Sequence, residues 1–409
     1  MKKTWIAIIV LFVSGSLLAQ QIPVDDNATL RQFPGASTIF NRIFNSGKLD
    51  SFYQKLYTVK KTGKGVVNIV HIGDSHLQAD FLSAVVRNNL QQFFGNAGRG
   101  MVFPFQLAQS NSPQDITSFS NVTWQFNRIA HPEIPITPGI SGYTVRTSPT
   151  GAAFDLSLRP NEYGPQSFNR LKFFLDGNST SSWILQAEHN TNPYLVRKEE
   201  GDSSLYSEVV LEYNSNSFSL ATLPSGNAKE FYGVSLENNN PGVLYHMIGV
   251  NGVRYDQFNI ADLFWKQLPA LHADLYIISL GTNEAQKPDF DNAAFQHELD
   301  IFLQKIKTIS PHAAVLITTA ADSYYKKRRS NLVLRELNVS LFNYCTQKNI
   351  PIWDLYRITN GYGSAYNWVR RGLMNDDRIH FTGEGYRIQG QLLFNAIAKG
   401  YNNFVNLIK

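Results

Sequence analysis

The sequence predicts an α/β protein with a doubly wound parallel sheet, interrupted by an inserted antiparallel β-sandwich domain. Two regions, residues 66–95 and 273–400, alternate apolar strands with amphipathic helices, which is typical of a parallel sheet covered on both faces. The section 110–242 between them loses this helical period and carries short apolar runs between Gly, Pro, Asn and Ser turns. Connecting loops are rarely so long, so this section indicates an inserted domain.

The first 19 residues have the pattern of a secretory signal peptide, since two lysines precede an apolar stretch that ends in SLLA. Residues 20–35 are polar and contain two prolines, so we expect a leader segment there. No later stretch approaches the roughly 20 apolar residues that span a bilayer, so no integral membrane segment is expected after signal removal. We therefore expect an exported protein, in the periplasm or outside the cell.

Composition indicates a globular, multidomain chain. Its 409 residues exceed the size at which a single core usually stops growing, and 43% of them are hydrophobic. The formal net charge of +5 includes both signal lysines and is too mild to indicate a nucleic-acid partner. Cys345 is the only cysteine, so neither a disulfide framework nor a lipid-anchoring cysteine is available.

The elements follow in order along the chain. Apolar spacing over residues 37–65 predicts helical structure, with Ile43 and Phe44 among its apolar residues. The strand GVVNIVHIG comes next, then a helix over LQADFLSAVVRNNLQQFF. The last third predicts strands at 273–281, 313–321 and 350–355, with helices at 290–310, 331–349 and 384–401. We divide the chain into a first α/β part at 36–109, the insertion at 110–242 and a second α/β part at 243–409.

Polar motifs stand at the predicted carboxyl ends of the strands, where open α/β sheets gather their functional groups. The strings are GDSH with Ser75, GVNG with Gly252, GTNE with Asn283 and, near the terminus, NDDRIH with Asp377 and His380. A serine hydroxyl needs a general base such as histidine, and the imidazole needs a carboxylate to set its tautomer. A tetrahedral oxyanion needs preorganised N–H donors. The motifs together predict an acyl-transfer site.

These motifs resemble those of the SGNH (GDSL-type) hydrolases, a flavodoxin-like α/β family of esterases. That family carries serine, glycine, asparagine and histidine in this order, with the acid in a D-x-x-H arrangement, here DRIH. The resemblance implies that Ser75 is the nucleophile, with Asp377 and His380 completing the triad. It also implies an oxyanion hole formed by Ser75, Gly252 and Asn283. The motifs cover about half of the chain.

One departure is His76, which stands where the commoner GDSL motif has leucine. Together with the insertion, it is similar to the periplasmic peptidoglycan O-acetylesterases, whose inserted domain resembles a carbohydrate-binding module. This implies a secreted serine esterase that removes O-acetyl groups from N-acetylmuramic acid through an acetyl-serine intermediate. The partner would be O-acetylated peptidoglycan or another acetylated glycan, and no metal or organic cofactor is implied.

Several residues keep two interpretations. Gly249 competes with Gly252 for the second motif, and Asp376 competes with Asp377 for the acid. His71 and His76 flank the motif and are more often packed than catalytic, although His76 can line the pocket. Asp74 is expected to cap the following helix.

The basic run KKRR at 326–329 is typical of a solvated loop, but its position after a strand puts it on the catalytic side. There Arg328 or Arg329 would pair with carboxylates of the wall polymer. In the insertion, the rings of Trp124, Tyr143, Trp183 and Tyr206 either pack in the core or stack on sugars. The rival functions are an acetylesterase for another polysaccharide and a non-catalytic glycan-binding envelope protein.

Overall fold

The structure is a computed structural model, and it describes residues 21–25, 37–162, 164, 166–176, 182–197, 205–224, 227–287 and 290–408. The predicted signal peptide and most of the leader lie outside these residues. Within them, Ile22 is buried and exchanges two hydrogen bonds with the Asn402 side chain of the closing helix. None of the helices in the described ranges combines the length and apolar character that crossing a membrane requires.

A six-stranded sheet forms the centre of the α/β part. Its order across the sheet is Ile43–Phe44, Ile352–Trp353, Ala314–Thr318, Leu275–Ser279, Val66–Gly73 and Gly242–Gly249. Every pairing is parallel except that of the first strand, which runs antiparallel at the edge. Numbered along the chain, the five parallel strands have the order 2-1-3-4-5 of flavodoxin-like folds. The predicted doubly wound parallel sheet is confirmed.

Helices cover both faces of this sheet. On one face lie Asp50–Thr62, Phe81–Phe94 and Gly383–Leu407, and on the other Tyr255–Asn259, Asp262–Gln267, Asn292–Ile309 and Leu332–Lys348. Shorter helices span Ser75–Gln78, Leu355–Ile358 and Ala365–Arg370, with 3₁₀ turns at Ser46–Leu49, Phe105–Ala108, Leu268–Leu271 and Glu284–Gln286. Alternate strand residues enter opposite cores: Val67 and Ile69 face one, Val70 and Ile72 the other. Both faces are therefore dry, which explains the near-continuous apolar strands.

The inserted section forms two antiparallel sheets. The first has the order Tyr194–Val196, Trp183–Ala187, Ser217–Thr222, Ala153–Leu158 and Ile116–Ser120. The second has the order Ser207–Ser215, Phe168–Leu175, Lys229–Glu237, Tyr143–Thr147 and Gln125–Arg128, with Gly98–Val102 also paired to its third strand. The sheets pack face to face through aromatic rings, since Phe154 of the first lies 5.0 Å from Phe231 of the second. The expected antiparallel sandwich is present.

The strand Gly98–Val102 joins the sandwich to the parallel sheet. It pairs with Lys229–Glu237 although it precedes the predicted start of the insertion at 110. On its other side, a Cβ at Gly100 would lie 2.3 Å from the carbonyl oxygen of Tyr245 in the parallel sheet. One hydrophobic cluster consequently runs from Ile72 of the parallel sheet into the sandwich. The domain boundaries themselves stay a prediction.

Aromatic residues of the sandwich serve its core. Trp183 and Tyr143 are fully buried and Trp124 is 4% exposed, so these three rings cannot stack on a sugar at the surface. Trp124 and Trp183 stack on each other with ring centroids 6.4 Å apart. Of the four rings considered for glycan binding, only Tyr206 is partly exposed, and it packs against Phe174.

Two helix predictions need correction. Ile43 and Phe44 were expected in a helix, but they form a strand antiparallel to Ile352–Trp353, because pairing at the open sheet edge overrides the local pattern. Asn45, in the left-handed region at φ 57°, separates this strand from the helix that follows. The predicted helix after Ser75 is also divided, since Asp80 adopts φ 62°.

A buried ion network fixes the helix start at Asp80 to the sandwich. Asp80 accepts hydrogen bonds from Arg87 at 3.0 and 2.8 Å and from Arg99 at 2.6 Å. Arg99 also binds both oxygens of Asp115, at 2.6 and 3.0 Å. All four side chains are at most 9% exposed, so two arginines and two aspartates neutralise one another in a buried network. The network ties the α/β part of the chain to the inserted section just behind the Ser75 motif.

Candidate active site

Ser75 follows the strand Val66–Gly73 and opens the short helix Ser75–Gln78. We call residues 73–78 the Ser75 turn. Asp74 caps the helix as expected, because its carboxylate accepts the N–H of His76 at 2.9 Å. Ser75 itself is half-buried at the carboxyl edge of the sheet. It stands where the strand order reverses, the position at which open α/β sheets form their sites.

The loop before the closing helix, residues 374–381, brings an acid and a base to the Ser75 turn; we call it the His380 loop. Asp377 accepts the N–H groups of Ile379 and His380, both at 2.9 Å, through one oxygen. Its other oxygen lies 2.7 Å from His380 Nδ1. Arg378, at φ 58°, gives the loop the reversal that this geometry needs. Partial burial opposes ionisation, but these donors outweigh it and lower the pKa of Asp377 below its ordinary value.

His380 connects this loop to the serine. Its Nε2 lies 2.8 Å from Ser75 Oγ, across 305 positions of the chain. Since the ionised Asp377 can only accept, Nδ1 carries the imidazole proton and Nε2 is left free to accept from the serine hydroxyl. The three side chains therefore form one continuous chain of hydrogen bonds in the order that general-base activation of a hydroxyl requires.

Asn283 and Gly252 border the same edge. The Asn283 amide donates to the Val253 carbonyl at 2.9 Å and makes only a long 3.5 Å contact with Asp74, so one N–H remains available to a ligand. Gly252 is exposed and adopts φ 80°, which favours glycine, and a Cβ would meet no atom closer than 3.9 Å. Among the described residues, the N–H groups of Ser75 and Gly252 have no acceptor. The Asn283 amide therefore borders the Ser75 turn, and the N–H groups of Ser75 and Gly252 are available as further donors.

The structure distinguishes between the alternative residues that the sequence offers for the acid and for the second motif. Asp376 is exposed, whereas Asp377 binds His380. Gly249 is buried at the end of its strand, and a Cβ there would lie 2.5 Å from the backbone of the Ser75 turn. This glycine is needed for close packing, while Gly252 is needed for a turn at the site.

The histidines beside the motif are neutral. His71 is buried and bonds Tyr245 through Nδ1 and Ser279 through Nε2, each at 2.7 Å, and burial lowers its pKa to about 3. His76 bonds the Tyr386 hydroxyl at 2.9 Å, and burial beside His380 lowers its pKa to about 3. Its ring lies 5.1 Å from that of His380, tilted by 31°. His76 is half-buried and packs against the base, which places it within the site.

Two buried carboxylates lie beside Asn283. Burial raises the pKa of Asp74 to about 6 and that of Glu284 to about 7. Glu284 accepts the N–H of Tyr255 at 2.9 Å. Glu284 is not among the residues that the sequence predicts for the site, and its only signal is its place directly after Asn283 in the GTNE motif. In the part of the chain that the structure describes, no group of His, Cys, Asp or Glu side chains could hold a metal ion.

The basic run forms a hairpin, Tyr324–Ser330, that is bonded to the His380 loop. Its Tyr324 N–H donates to the Arg378 carbonyl at 2.8 Å, and the Arg378 guanidinium lies 5.0 Å from the centre of the Tyr324 ring. Arg328 and Arg329 are both exposed on this hairpin. The structure thus places the two arginines on an element that contacts the loop between Asp377 and His380, although not in contact with Ser75 itself.

The fold and the hydrogen-bond chain from Asp377 through His380 to Ser75 are those expected of a serine ester hydrolase of the SGNH type. Residues 206–388, somewhat less than half of the chain, match the model of the GDSL-like lipase/acylhydrolase family. The match includes the motifs of Gly252, Asn283 and His380, while Ser75 lies before it, beyond the insertion. This part of the chain is therefore similar to the GDSL-like lipase/acylhydrolase family.

Solved structures show the same architecture. One described as "Peptidoglycan O-acetylesterase in action, 5 min" superposes with a TM-score of 0.73 at 22% identity, covering 86% of this chain and 96% of that chain. The similarity extends through the insertion and shows a shared fold. A lipase/acylhydrolase from Enterococcus faecalis (TM-score 0.31, 21% identity, 39% and 77% coverage) and a family two carbohydrate esterase from Cellvibrio japonicus (0.28, 9%, 72% and 100%) are too distant to carry an argument. A search of curated proteins found no match.

Proposed function

We propose that the chain is an exported serine esterase that removes O-acetyl groups from peptidoglycan N-acetylmuramic acid through an acetyl-Ser75 intermediate. The observation that carries the chemistry is the hydrogen-bond chain from Asp377 through His380 to Ser75, at 2.7 and 2.8 Å. The choice of substrate is supported by the fold shared over 86% of this chain with a structure described as a peptidoglycan O-acetylesterase.

The proposed reaction has two halves. Ser75 Oγ attacks the acetyl carbonyl carbon while His380 Nε2 takes the hydroxyl proton, and the tetrahedral intermediate then collapses as the sugar oxygen leaves with that proton. Water next attacks the acetyl-serine, giving its proton to His380, which returns it to Ser75 as acetate departs. Asp377 stays ionised and stabilises the imidazolium in both halves.

The developing oxyanion needs donors that are already in place. The N–H groups of Ser75 and Gly252 and the side-chain amide of Asn283 are assigned this role. Loss of one such donor typically raises the barrier by about 3 to 4 kcal/mol. The hydrogen bond to the Val253 carbonyl already fixes the Asn283 side chain. The Asn283 amide therefore needs no reorientation when negative charge develops on the oxyanion.

The basic hairpin favours a substrate polymer that carries negative charge. Peptidoglycan carries lactyl and stem-peptide carboxylates, and exposed Arg328 and Arg329 suit carboxylate binding beside the His380 loop. Replacing both by Ala is expected to raise KM for polymeric substrate and to leave turnover of p-nitrophenyl acetate unchanged. Equal effects on the two substrates would refute this assignment.

The decisive experiment measures acetate release from purified O-acetylated peptidoglycan and from acetylated xylan, using the mature chain and its Ser75→Ala variant. We expect faster release from peptidoglycan and none from the variant. Preference for xylan would instead favour an esterase of another polysaccharide. Release by the variant at the parental rate would refute the serine mechanism, and binding to peptidoglycan without acetate release would favour a glycan-binding protein.

A further inference from the structure

The inserted sandwich reaches the candidate active site through a polar cluster around Gln78, the last residue of the Ser75 turn. Gln78 is fully buried, and its amide is saturated. Its oxygen accepts the Tyr143 hydroxyl at 2.7 Å and the Asn251 N–H at 2.9 Å. Its nitrogen donates to Ser110 Oγ and the Asn111 carbonyl, both at 2.8 Å. Gln78 thus joins three segments that are far apart in sequence.

The turn held by this cluster contains Gly252. Val253 N–H donates to the Val250 carbonyl at 3.3 Å, which closes a four-residue turn with Gly252 in its third position. The φ of 80° at Gly252, with no positive φ at Asn251, corresponds to a type II turn. A type I turn differs mainly by reversal of the central peptide, the one that carries the Gly252 N–H. Glycine tolerates both forms, so neighbouring contacts must select one.

Those contacts come from the Ser75 turn and from the insertion. The Asn251 N–H is fixed by Gln78, and the Asn251 side chain donates to Asn111 Oδ1 at 2.8 Å and to Ser110 Oγ at 3.2 Å. Ser110 and Asn111 stand at the predicted start of the inserted section, and Tyr143 lies on one of its strands. Asn251, the second residue of the turn, is therefore held by hydrogen bonds to both its backbone and its side chain.

We propose that Gln78, clamped by Ser110, Asn111 and Tyr143, is a positioning residue that holds the Val250–Val253 turn in the form that directs the Gly252 N–H to the oxyanion. The inference rests on the proposed function of Ser75. It assigns the sandwich a part in the chemistry itself, beyond any binding of glycan. Turnover of a small acetate ester that never touches a glycan-binding surface should then depend on residues of the sandwich.

The test uses the full mature chain with Gln78→Ala and Tyr143→Phe. Loss of a complete oxyanion donor costs about 10² to 10³ in kcat, and a donor that is only loosened costs part of that. We expect kcat for p-nitrophenyl acetate to fall about 10- to 100-fold in Gln78→Ala and about 3- to 10-fold in Tyr143→Phe, with KM within about twofold. Affinity for phenylboronic acid, which forms a tetrahedral adduct with serine, should fall by the same factor as kcat/KM.

Matched controls separate positioning from general damage. Gln91 is another buried glutamine, which donates to the Gly98 and Val243 carbonyls at 2.8 and 2.9 Å, and Tyr194 bonds Asn190 within the sandwich at 3.1 Å. Gln91→Ala and Tyr194→Phe should keep parental kcat and boronate affinity even where they lower the melting temperature.

The following outcomes decide the proposal. Parental kcat in both Gln78→Ala and Tyr143→Phe would overturn it, as would equal losses in the two controls. If Gln78→Ala does not fold, Tyr143→Phe alone decides, because it removes a single hydroxyl. Ser75→Ala is measured in parallel: activity in that variant would overturn the proposed function, whereas an inactive Ser75→Ala with undiminished Gln78→Ala would overturn only the positioning role.

Discussion

Replacing Asp377 by Asn tests the proposed triad most directly. One carboxylate oxygen accepts two backbone N–H groups at 2.9 Å, and the amide oxygen of asparagine can keep both of these bonds. The amide nitrogen would then face His380 Nδ1 at the position where the carboxylate now accepts at 2.7 Å. Two donors cannot share that contact, so the imidazole proton moves to Nε2. The histidine can then no longer accept the Ser75 proton.

The expected loss follows from this tautomer change. The same substitution in a serine-protease triad lowers kcat by about 10⁴, which corresponds to about 5 kcal/mol of barrier. The Asp377 side chain is 34% exposed, so water can partly replace the carboxylate as the acceptor of the imidazole proton. We therefore expect kcat/KM for p-nitrophenyl acetate to fall about 10³- to 10⁴-fold, with an unchanged melting temperature because the loop keeps its backbone bonds.

A neighbouring acid provides the matched control. Asp376 is exposed and Asp377 is the carboxylate that contacts His380, so Asp376→Asn makes the same charge change one residue away. It should retain parental activity. A loss of less than tenfold in Asp377→Asn, or an equal loss in Asp376→Asn, would show that the reasoning about the tautomer is wrong.

Three further outcomes are expected. Gly252→Ala should lower kcat, because a Cβ at φ 80° strains the turn and favours reversal of its central peptide, and it should lower the melting temperature less than Gly249→Ala, whose Cβ would lie 2.5 Å from backbone atoms; the reverse pattern would contradict these roles. Because Glu284 has its pKa raised to about 7 in the folded chain, its own contribution to the free energy of unfolding should fall as pH rises from about 4.5 to 7. In urea titrations, the difference in free energy of unfolding between the parent and Glu284→Gln should therefore fall by on the order of 3 kcal/mol over that range. Arg99→Met should lower the free energy of unfolding by about 3 to 5 kcal/mol, because it removes the close ion-pair partner of buried Asp115 and leaves Arg87 alone between two buried carboxylates. Arg146→Met at a surface pair should cost under about 1 kcal/mol, and equal losses would count against the buried network.

The central sheet and the meeting of the motifs could be predicted because they follow from local patterns and one topological rule. Continuous apolar strands imply a sheet covered on both faces, and parallel strands bring their carboxyl ends to a single edge. That rule alone places Ser75 beside Asn283, although 208 positions separate them. The three-residue offset between Asp377 and His380 also suffices to put both on one loop.

What the sequence could not predict depends on contacts between distant segments. Ile43 and Phe44 carry a helical pattern, and only the open edge beside Ile352–Trp353 makes them a strand. Gln78 looks like an ordinary helix residue, and its role emerges only when Tyr143 of the sandwich reaches it. The same holds for Glu284, whose raised pKa is a consequence of burial by neighbours that no spacing rule identifies.

The place of Ser75 on the first strand of the parallel sheet has a consequence for assembly. The strand Val66–Gly73 leaves the ribosome early, yet its partners on both sides, Gly242–Gly249 and Leu275–Ser279, are made much later. The His71–Tyr245 bond between two of these strands closes a loop of 174 residues, an entropic cost of about 5 kcal/mol for a flexible chain. A sandwich that folds first shortens this loop, because its own pairing of Gly98–Val102 with Lys229–Glu237 brings the two strands together. The insertion would then act as an internal folding template for the enzyme that contains it.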